Sequence, residues 1–531
     1  MSRPRLSYAT LPARFGPHVD GPAIDPLTLS IGIVHFGIGA FHRSHQAVFT
    51  EDAAAVSGDR RWGILGVTGR SETVVRQLRP QDCLYGVLQK GVLPVGSARA
   101  GEAAADLRVI GSIREAVWPG RDSGRVVAAM AHPTTHIASL TITEKGYLRG
   151  SDGAIDLALP EVGLDLALIE RELIRDPADV AGAATKIGEE AASHTAIGLL
   201  VRGLARRYRR GGPPLTVLAC DNVVNNGAMV KRVVLSLAAA VQVEEPVRAG
   251  WLGWLEESVS YPSSMVDRIT PAATDHDHAE AFALLGLEDE ALVVAEPFSQ
   301  WVIEDDFAGP RPAWERAGAI LTADVTPFER AKLRILNATH SLLAYIGVLA
   351  GYATIADAVA DDQLRAIARR ILDDDILPTL QAPEGLDLAR YRDEVLSRFA
   401  NPALAHTTIQ IAMDGSQKLP NRVLGTASDR IAAGYVPAGL AFVIAAWIRF
   451  IAAGLEPGGP SLDDPMAAQL RAAVGSPAAI ESDPAGVVER VFALREVFSP
   501  RLRESGDFRA AVVAQLAEVG SVTAEIRKSN G

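Results

Sequence analysis

The stretch IGIVHFGIGAFHRSHQ, residues 31–46, decides the fold of this chain. Its apolar start, Ile31–Phe36, predicts a short buried strand. Gly37 and Gly39 follow at once, and a helix-forming stretch comes next. This order is typical of dinucleotide sites, where glycine lets the backbone approach a pyrophosphate at a helix N-terminus. The third glycine position holds His42, so the motif alone does not exclude an ordinary strand–helix turn.

A second strand, WGILGV, ends at Val67. In dinucleotide-binding folds an acid beyond this strand binds the adenosine ribose. Glu72 is available, somewhat later than the usual spacing, and Arg70 beside it offers a partner for a 2′-phosphate instead. We therefore expect NAD rather than NADP as cofactor. The expected contacts lie at Gly37, Gly39, Phe41 and Glu72.

The rest of the chain divides into two parts by pattern. Further strand-like runs, LRVIGSI, HIASLTIT and LTVLACDN, alternate with helix-length stretches, which predicts a parallel α/β sheet. After about Glu296 helical patterns dominate. We predict an α/β fold with a Rossmann-type NAD-binding domain over residues 1–295 and a mostly α-helical substrate domain over 296–531. The predicted helices of the second part cover residues 326–350, 355–375, 387–399, 428–454, 463–474 and 484–497.

Composition excludes several classes of protein. The 531 residues are 48% hydrophobic and 22% charged, with a net charge of −12 and no basic stripe, so we expect neither nucleic acid nor an anionic membrane as partner. Two distant cysteines, Cys83 and Cys220, exclude a disulfide framework and a cysteine-built zinc site. The N-terminal residues hold no apolar signal core, so a cytoplasmic location is expected.

One apolar helix carries polar residues that need an explanation. KLRILNATH, from Lys332 to His340, lies within a helix that Thr326 can cap and Gly351 can end. Burying Lys332, Asn337 and His340 costs free energy unless each has a partner. Two interpretations stay open at this point: satisfied core residues with a lysine that reaches solvent, or a pocket with an amine base.

Other polar residues follow predicted strands. Asn222 comes after LTVLA, and Glu144 after the strand in HIASLTIT, where ligands bind in open α/β sheets. Ordinary turn residues explain both equally well. Asp267 and Arg268 form a candidate ion pair, and Lys418 lies in DGSQKLPNR, which we interpret as a loop.

We expect no metal, because no histidine set has convincing ligand spacing. His35, His42 and His45 span a strand, a turn and a helix. The DHDH at residues 275–278 has the composition of an acidic loop.

Taken together and in order, seven motifs resemble the polyol-specific long-chain dehydrogenases, the family of mannitol 2-dehydrogenase and fructuronate reductase (mannonate oxidoreductase). They are GIGAFHRSHQ, TITEKGY, CDNVVNNG, MVDRITP, EPFSQWVIEDDF, KLRILNATH and DGSQKLP. The resemblance runs from about Gly32 to about Gly454. It implies a Rossmann domain, a helical substrate domain, and metal-free hydride transfer between a secondary alcohol and a nicotinamide cofactor.

The resemblance also implies roles for individual residues. Lys332 matches the general acid/base; Asn222 and Asn337 match the asparagines that hold the reacting oxygen; His340 matches the histidine that orients substrate. Asp267 and Lys418 match substrate contacts, Glu144 matches an acid linked to proton passage, and Glu329 matches a position near the site.

Two departures bear on the substrate. Mannitol 2-dehydrogenases carry an arginine that binds sugar hydroxyls where this chain has Gln410, so we expect Gln410 to contact the substrate. The fructuronate reductase branch carries an arginine where this chain has Thr407. Because a uronate carboxylate favours a bidentate arginine, we expect a neutral polyol/ketose pair, mannitol and fructose first. Fructuronate reductase (D-mannonate oxidoreductase) is the alternative, since Lys418 or Arg422 can supply the charge. A sugar-phosphate dehydrogenase and a non-catalytic cofactor-binding module are more distant alternatives.

Overall fold

The computed structural model describes residues 3–69, 71–92, 103–174, 191–404 and 406–530. It divides into two compact units, Met1–Val325 and Thr326–Gly531.

The first unit is built around a six-stranded parallel sheet. Its strands, in spatial order, are Ile113–Val117, Gly63–Val67, Ile31–Phe36, Ile137–Leu140, Leu215–Ala219 and Val259–Ser260. Counted along the chain this order is 3-2-1-4-5-6, the order of the dinucleotide-binding fold. Val34 and Phe36 pack into one core cluster and Ile33 into another, so both faces of the first strand are buried. This explains its continuous apolar run and confirms the predicted fold class.

Helices cover this sheet. Those of the first unit are Ala40–Ser44, Gln46–Ser57, Thr73–Leu78, Pro119–Met130, Pro160–Ile174, Ala196–Arg209, Asn226–Ala239, Glu245–Ser258 and Asp275–Leu285. Short 3₁₀ turns lie at Pro26–Thr28, Arg79–Gln81, Glu144–Tyr147 and Trp314–Ala317. The acidic DHDH stretch is wrongly predicted as a loop. It begins the helix Asp275–Leu285, because Thr274 and Asp277 form a capping box there.

Two smaller sheets complete the first unit. One has the strands Val19–Asp20, Ala103–Ile110, Tyr85–Val92 and Val293–Ala295. The other has Ser264–Asp267, Gln300–Glu304 and Ile320–Thr322. Gln300–Glu304 pairs with Ser264–Asp267, and Ile320–Thr322 pairs with Gln300–Glu304. Both strands therefore belong to the first unit, and the division falls after Val325 rather than at the predicted residue 295.

The second unit is helical. Its α-helices are Thr326–Ala331, Ala338–Ala350, Ile355–Ala360, Asp362–Ile371, Leu388–Phe399, Thr408–Ala412, Gly415–Leu419, Gly425–Ala432, Ala438–Ala453, Ala467–Val474, Pro477–Ser482, Pro484–Phe492, Pro500–Glu504 and Gly506–Asn530. In the described part of this unit, three π-helical segments interrupt them: Lys332–Asn337, Leu372–Ile376 and Pro420–Leu424. Short 3₁₀ turns lie at Leu377–Thr379 and Pro402–Leu404.

The core of the second unit surrounds two apolar helices, Ala338–Ala350 and Ala438–Ala453. The stretch Thr326–Ala350 is long and apolar enough to cross a membrane by composition, but 78% of its most apolar window is buried in the protein. It ends at Gly351 as predicted, where φ is 92° and only glycine is unstrained. It is thus a core helix.

Two parts of the second unit differ from the sequence-based prediction. DGSQKLPNR was expected as a loop but is helical from Gly415 through the π segment. The last helix, Gly506–Asn530, was not predicted. Its buried side chains recur every three or four residues: Phe508, Val512, Leu516, Val519, Val522 and Ile526.

Candidate active site

The glycine turn sits where the sheet order reverses. Gly37 has a φ of 103°, and a Cβ there would lie 2.0 Å from the Thr141 carbonyl oxygen. Only glycine fits this approach of two strand ends. Gly39 differs: its φ is −69°, and the nearest atom to a Cβ would be the Gly37 oxygen at 4.0 Å. Its backbone is therefore uncovered, which suits a bound pyrophosphate.

The helix after the turn is broken, contrary to the continuous helix that was predicted. It runs from Ala40 to Ser44, is interrupted at His45, where φ is −118° and ψ −92°, and resumes at Gln46. Phe41, a predicted cofactor contact, stacks on His45 with ring centroids 5.0 Å apart. The break places His45 against the backbone oxygen of Gln300, 2.9 Å from its Nε2.

Two buried histidines support the turn from beneath. The rings of His35 and His42 stack with centroids 3.4 Å apart. His35 is 2.8 Å from both Ser139 Oγ and Thr141 Oγ1. Burial lowers the pKa of both rings, that of His35 to about 3. These histidines are neutral structural groups of the turn.

Glu72 lies at the end of the loop that follows the second strand, directly before the helix Thr73–Leu78. Its carboxylate is 2.8 Å from Arg76 and 2.9 Å from Arg121. The hydrogen bond from Arg76 and the charge of Arg121 lower the pKa of Glu72. The carboxylate is thus held ionised at the position predicted for a ribose partner. Arg70 lies outside the described residues.

Two loops follow the fourth and fifth strands of the parallel sheet, and a buried carboxylate joins them. Asp221 accepts hydrogen bonds from Ile142 N at 3.1 Å and Thr143 N at 2.8 Å, and from the Tyr147 hydroxyl at 2.5 Å. Asp221 was missed in the sequence, although it lies next to Asn222.

The residues predicted on these two loops are accessible. Asn222 is exposed, at the carboxyl end of its strand as predicted. The Glu144 side chain is 66% exposed and lies 3.4 Å from Arg149. Asp267, in contrast, is buried at the end of the strand Ser264–Asp267. The predicted ion pair with Arg268 is replaced by bonds from that guanidinium to the Glu296 and Ser44 carbonyl oxygens.

In the second unit the start of KLRILNATH, Lys332–Asn337, is π-helical. Ala338 N bonds to the Leu333 carbonyl five residues back. A regular α-helix separates Lys332 from Asn337 by about 140°, and the wider π-turn reduces that angle. Both side chains are buried. Within the described residues, Asn337 Nδ2 is a buried donor without a partner.

His340, one turn further, is equally enclosed. Its ring stacks on Phe399 at 4.7 Å and on His406 at 5.6 Å. Its Nε2 has no hydrogen-bond partner in the described part of the chain. Burial, then the positive surroundings that include Arg422 and Lys418, lowers its pKa well below the usual value. His340 is therefore a neutral ring held in a fixed plane with one nitrogen unsatisfied.

Two cations lie near His340 on the helical DGSQKLPNR segment. Arg422 donates to the Ser341 hydroxyl at 3.2 Å, and Lys418 to the Ile411 carbonyl at 3.4 Å. Burial lowers the pKa of both groups, that of Lys418 to about 8. Among the described residues neither forms an ion pair with a carboxylate. The charges of Asp414 and Asp464 partly offset the charge of Lys418.

The two neutral positions that bear on substrate choice lie on a neighbouring short helix. Thr407 precedes the helix Thr408–Ala412, and Gln410 is exposed on it. Gln410, predicted to bind substrate, is therefore more accessible than Lys418 and Arg422.

Comparison with known proteins identifies the family. Residues 31–316 match the mannitol dehydrogenase Rossmann domain, and residues 324–520 match the mannitol dehydrogenase C-terminal domain. The chain belongs to the mannitol dehydrogenase family. It is 39% identical to the Escherichia coli D-mannonate oxidoreductase over 509 residues, 94% of this chain and 96% of that protein. It is 35% identical to the Gluconobacter oxydans polyol:NADP oxidoreductase over 86% of each chain.

A solved structure of the mannitol dehydrogenase family extends this likeness to the fold. Pseudomonas fluorescens mannitol 2-dehydrogenase, in a ternary complex with NAD and D-mannitol, superimposes with a TM-score of 0.78 at 31% identity, covering 99% of each chain. The present chain is thus an NAD(P)-dependent oxidoreductase that acts on a CH–OH group of a polyol or sugar acid. The uncovered backbone at Gly39 fits a nicotinamide dinucleotide.

Proposed function

We propose that this enzyme interconverts a 2-keto sugar acid of the fructuronate type and the corresponding aldonate. The observation that carries the proposal is the pair Lys418 and Arg422, two part-buried cations near His340 with no carboxylate ion-paired to them in the described residues. A charge removed from water is costly unless it is paired. A substrate carboxylate supplies the missing partner, and an arginine fork holds it in one orientation.

This proposal reverses the order of substrates expected from the sequence. This chain has no arginine at position 407 or 410, where the two branches of the family each carry one. Arg422, however, lies beside Ser341, the residue after His340. A neutral polyol leaves this positive charge without an ion-pair partner, and Asp414 and Asp464 offset only part of the charge of Lys418. The neutral pair mannitol and fructose stays the second candidate, favoured by Gln410 and Thr407 and by the likeness to Pseudomonas fluorescens mannitol 2-dehydrogenase.

The proposed chemistry needs a base, oxygen donors and a dry environment. Lys332 takes the hydroxyl proton during oxidation and returns it during reduction. Asn337 Nδ2, buried and without a partner among the described residues, donates to the reacting oxygen. Asn222 keeps the oxygen-donor role that the family resemblance implies. His340 Nε2 orients a neighbouring substrate hydroxyl. A nicotinamide cofactor, which Gly37, Gly39 and Phe41 would hold, would supply the hydride chemistry. Asp267 contributes to substrate binding, and Glu144, exposed on its loop, passes the proton to solvent.

We also propose that the first unit binds the cofactor through Gly37, Gly39 and Phe41, with NAD preferred because the Glu72 carboxylate repels a 2′-phosphate. The positive charges of Arg76 and Arg121, which flank Glu72, offset part of this repulsion and make the preference for NAD over NADP smaller. Buried, unpaired Cys83 and Cys220 suit a reducing cytoplasm.

The test compares kcat/KM for fructuronate and fructose with saturating NADH. We expect fructuronate to be preferred by more than about tenfold, which corresponds to about 1.4 kcal/mol of transition-state binding. Replacing Arg422 with leucine should lower kcat/KM for fructuronate by about 30-fold or more, because it leaves a carboxylate without its partner. The value for fructose should change much less.

Arg390→Leu serves as the control. Arg390 pairs with Glu394 on an exposed helix face of the same unit, so both substrates should be turned over normally. A preference for fructose, or equal losses for both substrates in Arg422→Leu, contradicts the carboxylate site and promotes the neutral pair.

A further inference from the structure

The loop after the fourth strand of the parallel sheet is held in a costly shape. Thr143 has φ 65° and ψ 162°, a region that a β-branched residue rarely adopts. Leu148, at the other end of the same turn, has φ 51°. Glu144 lies between them. Strained backbone of this kind persists only when its surroundings fix it, and it clusters at functional sites.

Asp221 is the group that fixes it. The carboxylate lies on the neighbouring loop, buried, and receives the amide hydrogens of Ile142 and strained Thr143. The Tyr147 hydroxyl, from the far end of the Glu144–Tyr147 turn, completes the set at 2.5 Å. All three donors come from one loop, so a single carboxylate fixes its start and its end.

The loop that carries Asp221 is anchored in turn. Asn226 Nδ2 donates to the Asp221 carbonyl at 2.9 Å and to the Ser264 carbonyl at 2.8 Å. Ser264 N donates back to Asn226 Oδ1 at 3.0 Å. The backbone at Asp221 is therefore fixed to the adjacent strand, and Asn222 follows it by one residue.

We infer that Asp221 is a positioning residue for the reaction: it sets the relative placement of the Asn222 amide and the Glu144 carboxylate. The inference rests on the proposed roles of those two residues. Asp221 itself touches neither substrate nor cofactor, because its oxygens are occupied by Ile142, Thr143 and Tyr147. An asparagine at this position presents one NH₂ group toward donors, which turns at least one bond into a repulsive contact.

The experiment is a double-mutant cycle on kcat with the full-length enzyme and its nicotinamide cofactor. Asp221→Asn alone should lower kcat at least about tenfold, as expected when a reacting group is misplaced, while the Kd for NADH stays within about threefold. Asn222→Ala should lower kcat strongly. The double variant should lose clearly less kcat than the product of the two single losses, because the part of the Asp221 effect that acts through the Asn222 amide is already gone.

Asp289→Asn is the matched control. Asp289 is a buried carboxylate of the same unit that accepts two backbone amides, Gly86 N and Ala291 N, and one side-chain donor, Gln81 Nε2. Asp289→Asn should lower the melting temperature and change kcat only slightly. When it is combined with Asn222→Ala, the loss of kcat should equal the product of the two single losses. Tyr147→Phe removes one bond only, and should show a weaker loss of kcat with the same non-additivity.

An Asp221→Asn enzyme with normal kcat, or one whose loss multiplies fully with that of Asn222→Ala, overturns the inference and makes Asp221 a stabilising residue only. An Asn222→Ala enzyme with near-normal kcat overturns the proposed oxygen-donor role of Asn222, and the positioning of that amide with it. The two failures are thus distinguishable.

Discussion

Substituting the two glycines of the turn separates folding from cofactor binding. Gly37→Ala forces an L-residue to φ 103°, which costs roughly 1–2 kcal/mol. The new methyl group would lie 2.0 Å from the Thr141 carbonyl oxygen. Thr141 must shift, although its amide bonds to Phe36 and its hydroxyl to Gly37. Overpacking of this kind costs roughly 1–3 kcal/mol more, so we expect a loss of about 2–5 kcal/mol of stability.

Gly39→Ala is the matched change with the opposite expectation. Its φ of −69° suits alanine, and among the described residues beyond its chain neighbours the atom nearest to the new Cβ is the Gly37 oxygen at 4.0 Å. Stability should change by less than about 0.5 kcal/mol. The methyl group projects from backbone that we propose contacts the pyrophosphate, so NADH should bind about tenfold more weakly or worse.

Chemical denaturation and quenching of protein fluorescence by NADH measure the two effects on the same samples. A Gly37→Ala variant as stable as the wild type contradicts the steric reasoning. A Gly39→Ala variant that binds NADH normally contradicts the cofactor assignment.

Three further predictions use other parts of the site. The pKa of His35 is about 3 in the folded protein, so between pH 6.5 and pH 3 only the unfolded chain binds a proton there, and the stability that His35 contributes above pH 6.5 is lost as the pH falls toward 3. His35→Gln should therefore remove roughly 2 kcal/mol of the difference in unfolding free energy between pH 8 and pH 5. Denaturation curves with an unchanged difference refute this. Asn337→Leu should lower kcat by about 10²–10³-fold without lowering the melting temperature, since its Nδ2 has no partner in the described residues; a stability loss with normal kcat makes it a structural residue. Glu72→Gln should shift the kcat/KM ratio toward NADPH by up to about fivefold, since Arg76 and Arg121 already offset part of the Glu72 charge. A shift toward NADH contradicts the assignment.

The sequence supported the fold class because its signals are local. The apolar run Ile31–Phe36 and the glycines after it lie in one segment, and their geometry follows from strand burial and from the positive φ at Gly37. The helix Gly506–Asn530 was equally predictable from its repeat, which begins with Phe508 and Val512, and that signal was overlooked. Gly415 and Pro420 misdirected the DGSQKLPNR prediction, because both residues commonly break helices.

The finer geometry of the candidate site depends on information that spacing does not carry. The regular α-helical repeat of 100° per residue, on which the sequence pattern is judged, does not reveal the π-turn between Lys332 and Asn337. Asp221 is an ordinary turn residue in sequence; its role depends on Tyr147, 74 positions away. The burial of Arg422 likewise follows only from the folded unit, and the sequence alone therefore does not show its proposed bearing on substrate charge.

The central claim is that Lys332 moves the proton, and single-turnover kinetics of Lys332→Ala test it most directly. Proton transfer by a positioned group is worth about 10²–10⁴-fold, so the rate of NADH oxidation at saturating substrate should fall by at least about 100-fold. NADH should bind as in the wild type. Lys332→Arg should be equally slow, because a guanidinium keeps the charge but does not give up its proton. A Lys332→Ala enzyme that retains more than about a tenth of the wild-type rate contradicts the account.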